Sequence, residues 1–433
     1  MLNSVETVPA AGRALPAHGE MPAAPSVTLR AAPSLLIVSH DAHDARFHKR
    51  MKMFSDLGFA VSWLAFDRAR DTKLAHEALR RFPGEILGKR RDGAYLGRLG
   101  DFRQAVSRIR ERGAQASLLY CINLDNLLAA VLAKSLGRLS CKVIYEVADI
   151  QSVLLRRDPA GRLLRAIERW CLRRADLLVY TSEHFMTHFL RPVQHCPVPS
   201  LLLENKIYPA AELPRRAIPG LQEPSPYTEP ERSLAQSLSR ASGGERRGSI
   251  RVGYFGQLRC RASLEMIGRL AAVFPQKLQF VLRGYPNHEA NAAFRRLVGN
   301  VPNVTYEGPY RNPADLETIY SSVDICWGFD FCCPGLNSRW CLTNRLYEAG
   351  YFGVPILVEQ DTAGGEFVQR LGSGWAIPQP LEKSLRDFFG SLTLAQIRER
   401  RAHTAALPPG AFVLDGDLPA LRKVFFKLPG TNS

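Results

Sequence analysis

No run in the sequence approaches the roughly 20 consecutive apolar residues that a membrane-spanning helix needs; the longest candidates, 35–38 and 127–132, fit a strand and part of a helix. The first 32 residues are rich in alanine and proline but lack the continuous apolar stretch of a secretory signal. They read as a disordered tail, and the chain is expected to stay in the cytoplasm. Among nine cysteines no Cys-x-x-Cys pair occurs, and only Cys332 and Cys333 are adjacent. That argues against a zinc cluster or a disulfide framework and for reduced thiols packed as small hydrophobes. No Gly-x-Gly-x-x-Gly follows the first apolar strand, which speaks against a dinucleotide oxidoreductase.

What the sequence does hold is apolar material and positive charge. Hydrophobic residues fill 46% of 433 positions, enough for more than one core, and two domains are the natural partition. The formal net charge is +16 and the pI near 9.7. Such an excess favours polyanions: anionic lipid, phosphorylated substrates or nucleic acid. The arginines are spread through expected helices instead of gathered in a tail, so a folded basic face is the expectation. Nucleic acid ranks last, because no aromatic-basic RNA motif or helix-turn-helix pattern stands out.

Apolar runs at 35–38, 60–66, 117–121, 142–146 and 177–181 read as strands, separated by helices at 45–57, 125–136 and 162–174. Ser182 falls where the next helix wants an N-cap. From 210 to 248 Pro, Ser, Gly, Arg and Glu dominate and no periodic face survives. The alternation then restarts, with strands at 250–255, 278–282, near 304, 323–327 and 354–358, and helices at 262–274, 289–298, 314–321 and 342–352. Further helices are expected at 381–392 and 395–403. Continuous apolar strands alternating with helices mean parallel sheets covered on both faces. The expectation is an α/β chain of two doubly wound, Rossmann-like domains facing across a cleft. Its parts are a tail (1–32), a first domain (33–208), a linker or insertion (209–248), a second domain (249–380) and C-terminal helices with a tail (381–433). In such sheets ligands bind outside the carboxyl ends of the strands, so the cleft is the expected site.

Polar groups gather at those strand ends. His40 and Asp41 follow the first strand, with Arg46 on the helix beyond; they could meet a ligand or merely cap a helix start. Glu146 and Asp149, three apart past another buried strand, could supply a general base or bind sugar hydroxyls, or cap the next helix. Gly256 with Arg259, and Arg283 before Gly284, put glycine and arginine at two more strand ends, where backbone amides and guanidinium could approach a phosphate. The densest stretch is DFCCPGLNSRWCLTNRLYEAGYFGVP, 330–355. It sets Asn337 before a helix carrying Asn344, Arg345 and Glu348. Asn344 and Glu348 share a helical face; Arg345 and Glu348 are also within reach of an intrahelical salt bridge. Diphosphate at the helix start and ribose hydroxyls on Glu348 would make a coherent nucleotide site. Residues 156–174 place leucines, Ile167 and Trp170 on one face and seven arginines mostly opposite, a pattern that suits an anionic leaflet or a sheet-packing helix with a hydrated outer face.

These residues resemble the GT-B glycosyltransferases, particularly family-4-like enzymes and the succinoglycan-type exopolysaccharide glycosyltransferases. The resemblance runs from about 35 to 374. It rests on Tyr320-Ser321-Ser322-Val323-Asp324, on Asn337-Ser338-Arg339-Trp340, on Asn344 through Glu348, on the helix end Glu348-Ala349-Gly350-Tyr351-Phe352-Gly353-Val354-Pro355, and on Leu203-Glu204-Asn205-Lys206. It implies an N-terminal acceptor domain, with His40, Asp41 and Arg46 on the acceptor side and Glu146 and Asp149 as candidate catalytic groups. It implies a C-terminal nucleotide-sugar domain in which Gly256, Arg259, Arg283, Asn337, Asn344, Arg345 and Glu348 hold the sugar donor, Glu348 through the ribose, with no obligatory metal or cofactor. Trp340 stands where many members carry a second glutamate, and Ala148 where many carry a histidine. The implied activity is hexosyl transfer from a nucleoside diphosphate sugar to a saccharide, lipid-diphosphate-linked to suit the basic first domain, at the inner face of the cytoplasmic membrane. A nucleotide-sugar epimerase and a non-catalytic scaffold of the same fold are the alternatives.

Overall fold

The computed structural model describes residues 32–67, 79–89, 98–209, 213, 249–286, 291–332 and 337–428. The expected N-terminal tail, except for Ala32, and nearly all of the expected linker lie outside them. Two wholly parallel sheets form. The first contains β1 (Ser34–Ser39), β2 (Ala60–Asp67), β3 (Gly84–Lys89), β4 (Leu118–Ile122), β5 (Lys142–Val147), β6 (Leu177–Tyr180) and β7 (Ser200–Leu202), in the order β3-β2-β1-β4-β5-β6-β7. The second contains β8 (Ile250–Leu258), β9 (Leu278–Pro286), β10 (Val304–Tyr306), β11 (Ile325–Trp327), β12 (Ile356–Glu359) and β13 (Gly374–Ile377), in the order β10-β9-β8-β11-β12-β13. Both reverse direction once, between β1 and β4 and between β8 and β11. A doubly wound sheet opens a ligand crevice at that point.

The strands read as unbroken apolar runs because both faces are covered. In β1, Leu35 and Ile37 face the helix Ala45–Asp56, while Leu36 and Val38 face the layer containing the helix Leu124–Gly137; all four are buried. Asp44 caps the helix Ala45–Asp56, its carboxylate accepting from the Arg46 amide at 2.8 Å. The expected cap at Ser182 is not made by the side chain. Its hydroxyl is turned instead to the carbonyl of Trp340 in the second half of the chain.

The C-terminal segment crosses back to the first sheet. Phe425 is fully buried with its ring 4.9 Å from Phe54, and Phe426 lies 4.6 Å from Phe59. Residues around Phe412 tie the crossing down: Ile207 donates to the Phe412 carbonyl and Leu414 to the Ile207 carbonyl, each at 3.0 Å. The helix Leu418–Phe426 is therefore part of the first domain's covering layer, and both halves of the chain belong to one compact unit from Pro33 onward. No helix among the described residues is long and apolar enough to cross a membrane.

Candidate active site

The helix Asn344–Tyr351 fits eight residues between β11 and β12 and buries Leu346, Tyr347, Ala349 and Tyr351, which leaves Asn344 and Glu348 on its remaining face. Both line a cavity of about 350 Å³ between the two sheets. His48, Lys49 and Tyr208 come to it from the first half, and Tyr285, Tyr310 and Asn312 from the second. A larger hollow of about 580 Å³ runs along β13 by Trp375 and Arg400, and it holds none of the residues singled out from the sequence.

Glu348 is held at both oxygens. Asn312 Nδ2 donates to Oε1 at 3.0 Å and Tyr320 Oη to Oε2 at 2.9 Å. Burial pushes its carboxyl pKa up; Tyr320, Lys49 and Asn312 oppose that push without cancelling it. Lys49, across the cavity, is driven down to about 7 by burial and then by Arg50 next to it. Its ammonium donates to the carbonyls of Asn205 and Lys206, at 2.9 and 3.2 Å. Asn205 in turn donates to Asn344 Oδ1 at 2.6 Å, so Asn344 ties the end of the first domain to the start of this helix. The intrahelical salt bridge left open by the sequence does not form. Arg345 turns the other way, with Nη1 donating to the Phe255 carbonyl at 3.5 Å, Nη2 to that of Phe329 at 3.4 Å, and its guanidinium over the Tyr254 ring. Burial works against its charge, yet Tyr254 and Asp330 beside it keep the pKa above its usual value.

The ends of β8 and β9 are built from paired glycines. Gly256 and Gly284 sit opposite each other with φ of +106° and +129°, and a Cβ on Gly284 would stand 1.8 Å from the Gly256 carbonyl oxygen. A Cβ on Gly256 would meet only Tyr310 Oη among the described residues, at 3.9 Å. Gly256→Ala is therefore expected to act by backbone strain without a clash, lowering stability by about 1–3 kcal/mol in denaturant unfolding. Arg283 donates from Nη2 to the Pro309 carbonyl at 3.2 Å, and its buried Nε makes no hydrogen bond among the described residues. Arg259 is half exposed, 3.7 Å from Asp330.

Facing this, the first domain offers a second cluster. Asp149 is exposed, 3.9 Å from Arg46 and 3.5 Å from Asn337 Nδ2. Asn337 Oδ1 accepts from the Ile150 amide at 2.9 Å, so the short helix Asn337–Trp340 is docked on the first domain beside Asp149. Trp340 stacks on His188 at 5.5 Å, which gives the residue standing in for a glutamate a contact between the two halves. His40 meets Asn123 at 3.1 Å across the β1–β4 crevice. Asp41 is buried and accepts from the His43 amide at 2.9 Å, the turn-capping alternative.

Glu146 is not placed for the catalytic part the sequence offered it. It is fully buried, taking hydrogen bonds from Arg50 (2.8 Å to Nη2) and from Tyr120 Oη (2.7 Å). Burial alone would raise its pKa, but Arg50 more than reverses this and holds the carboxyl below its ordinary range. Unlike Glu348, it lines no part of the cavity, so no substrate proton is within its reach there. Of the two acids, Asp149 is the exposed one, beside Arg46 and Asn337. Sequence reasoning missed Lys49 and Asn312, since nothing in a 36-residue separation tells that Asn312 meets Glu348.

Two parallel sheets that each reverse their strand order once, with a cavity between them and a buried carboxylate on its wall, make a GT-B frame. A Glycosyl transferase 4-like domain matches residues 43–199. The chain is 30% identical over 384 residues to the succinoglycan biosynthesis protein ExoL of Rhizobium meliloti (strain 1021), covering 88% of this chain and 90% of that one. It belongs to the family-4-like GT-B glycosyltransferases. In fold it is similar to Anabaena Alr3699/HepE, solved in complex with UDP and glucose (TM-score 0.68, 14% identity, 92% of this chain and 100% of that one). It is equally similar to the sucrose-phosphate synthase of Thermosynechococcus elongatus (TM-score 0.67, 14% identity, 93% and 100%).

Proposed function

We propose that this glycosyltransferase moves a hexosyl group from a nucleoside diphosphate sugar to a lipid-diphosphate-linked saccharide in exopolysaccharide synthesis, working at the inner face of the cytoplasmic membrane. The observation that carries the reading is Glu348, a buried carboxylate with both oxygens fixed at the wall of a cavity bounded by Tyr285 and Tyr310. A fixed carboxylate there accepts the two ribose hydroxyls, and the tyrosines offer faces to the base. Arg259, Arg283 and Arg345 surround the glycine turn at Gly256 and stabilise charge as the diphosphate departs. Asp149, with Arg46 beside it, orients or deprotonates the acceptor hydroxyl. No metal is needed to hold the sugar donor in this scheme, because three guanidinium groups serve the diphosphate.

The relative's part in succinoglycan biosynthesis supports the saccharide product, and the complex of HepE with UDP and glucose supports a uridine nucleotide. The helix Pro159–Leu172 supports the membrane surface: Leu163 is 62% exposed at the centre of an arginine-rich segment. The test is a thermal-shift screen with UDP, GDP, ADP, TDP and their sugar conjugates, with and without EDTA. A ligand at about 100 times its dissociation constant adds roughly 2.7 kcal/mol. Strong stabilisation by one nucleotide in EDTA is expected, UDP first; silence from all of them sinks the reading.

A further inference from the structure

We propose that Cys260, Asp330 and Cys332 form a binding site for one thiophilic divalent cation of the zinc class. This goes beyond the transferase reading and does not rest on it. The loops after β8 and β11, neighbouring strands at the second sheet's reversal point, bring together one ligand atom from each residue, all within 4.8 Å of one another. Around a tetrahedral zinc, sulfur and oxygen ligands at roughly 2.3 and 2.0 Å from the metal stand about 3.5–3.8 Å apart, so the three atoms would draw together by up to about 1 Å on binding. Two sulfurs and a carboxylate are a donor set that such a cation prefers to calcium or magnesium.

The surroundings support these atoms as ligands. Cys260 caps the 13-residue helix Arg261–Val273, and its sulfur accepts from the Ser263 amide at 3.4 Å and the Phe331 amide at 3.3 Å. Two N–H groups and a helix start directed at one sulfur favour the thiolate, the form that binds metal. Asp330 is fixed by the Cys332 amide, 2.9 Å from Oδ1, and by Arg259 near Oδ2, as a ligating carboxylate is held by outer partners. Cys260 is buried while Asp330 and Cys332 are only partly so, which leaves an entry path and a fourth position for water. Sequence spacing hides the site, because Cys260 and Cys332 come from different strand ends.

The test is a cobalt(II) titration of the full-length, untagged chain, kept reduced with a phosphine, followed by absorbance. The expected result is one equivalent bound, with thiolate-to-cobalt charge transfer in the near ultraviolet and intense visible bands of tetrahedral cobalt, both erased by added zinc. Cys260→Ser and Cys332→Ser each weaken binding about tenfold or more and dim the charge-transfer band. Asp330→Asn weakens binding but keeps the band, and Cys196→Ser, on the first domain, changes neither. Thermal melting of each variant confirms that it is folded, and Cys332→Ser, on a partly exposed loop, keeps the test alive should Cys260→Ser fail to fold. Absence of charge transfer in the unmodified chain, or its survival at full strength in a folded Cys260→Ser or Cys332→Ser protein, overturns the proposal.

Discussion

Glu348→Gln is expected to lower affinity for the sugar-donor nucleotide by about 100-fold while leaving the protein folded. A hydrogen bond to a charged acceptor contributes about 1.5–3 kcal/mol, so weakening the grip on two ribose hydroxyls amounts to about 3 kcal/mol, or two powers of ten. Glutamine is the informative replacement because its neighbours can adjust. Tyr320 can donate to the remaining oxygen, and Asn312 can rotate its amide to present oxygen to the new NH₂ group. Alanine would strand the Tyr320 hydroxyl in a buried site and mix a folding defect with a binding one. Calorimetric titration with the nucleotide found in the thermal screen measures the change. Unaltered affinity in a folded Glu348→Gln protein removes the ribose assignment.

The same carboxylate predicts a pH dependence with a definite sign. Burial raises the folded pKa of Glu348 above its unfolded value. Its contribution to stability is therefore present below the unfolded pKa and lost as pH rises through the folded one. In the proposed scheme nucleotide affinity moves oppositely, because the ionised carboxylate is the stronger acceptor for hydroxyl groups. Binding should weaken as pH falls toward the raised pKa, while the empty protein gains from protonation at this position.

Much of this was legible in sequence because the signals were local. Unbroken apolar runs such as LLIV and LLYCI, separated by helical periods, require parallel strands covered on both sides, and the strands formed where those runs stand. The helix face shared by Asn344 and Glu348 was legible too, since spacing within a helix fixes direction. Pairings set by tertiary packing were not. Glu146 meets Arg50 from 96 residues away, so a carboxylate at a strand end could not be told from a catalytic one. The last helix reads from its own pattern only as amphipathic; that Phe425 seats on Phe54 follows from a chain crossing that periodicity does not encode. Ser182 satisfies every local rule for an N-cap, yet the Trp340 carbonyl is the partner its hydroxyl takes.

The pair Arg50 and Glu146 gives the largest expected change in stability and separates the two acids of the first domain. Arg50→Met or Glu146→Leu alone should each cost about 3–5 kcal/mol, because each leaves an uncompensated charge in the interior. Arg50 also donates to the Leu203 carbonyl at 3.1 Å, so its loss removes a hydrogen bond at the end of the first sheet as well. The double variant should recover most of the loss, since two apolar side chains of similar volume replace a pair whose desolvation cost offsets its attraction. Denaturant midpoints of the four proteins measure this, and additive losses would show that the two residues act independently. Asp149→Asn stands in contrast: the group is exposed, so stability should stay within about 0.5 kcal/mol while turnover falls. The pH profile adds a further sign. Arg50 holds the Glu146 pKa below its unfolded value, so the stabilisation is present above the unfolded pKa and disappears as pH falls through the folded one. The acid limb of the unfolding profile should therefore flatten in the Arg50→Met/Glu146→Leu protein and persist in Asp149→Asn, a contrast that would mark Glu146 as the acid whose ionisation holds the fold.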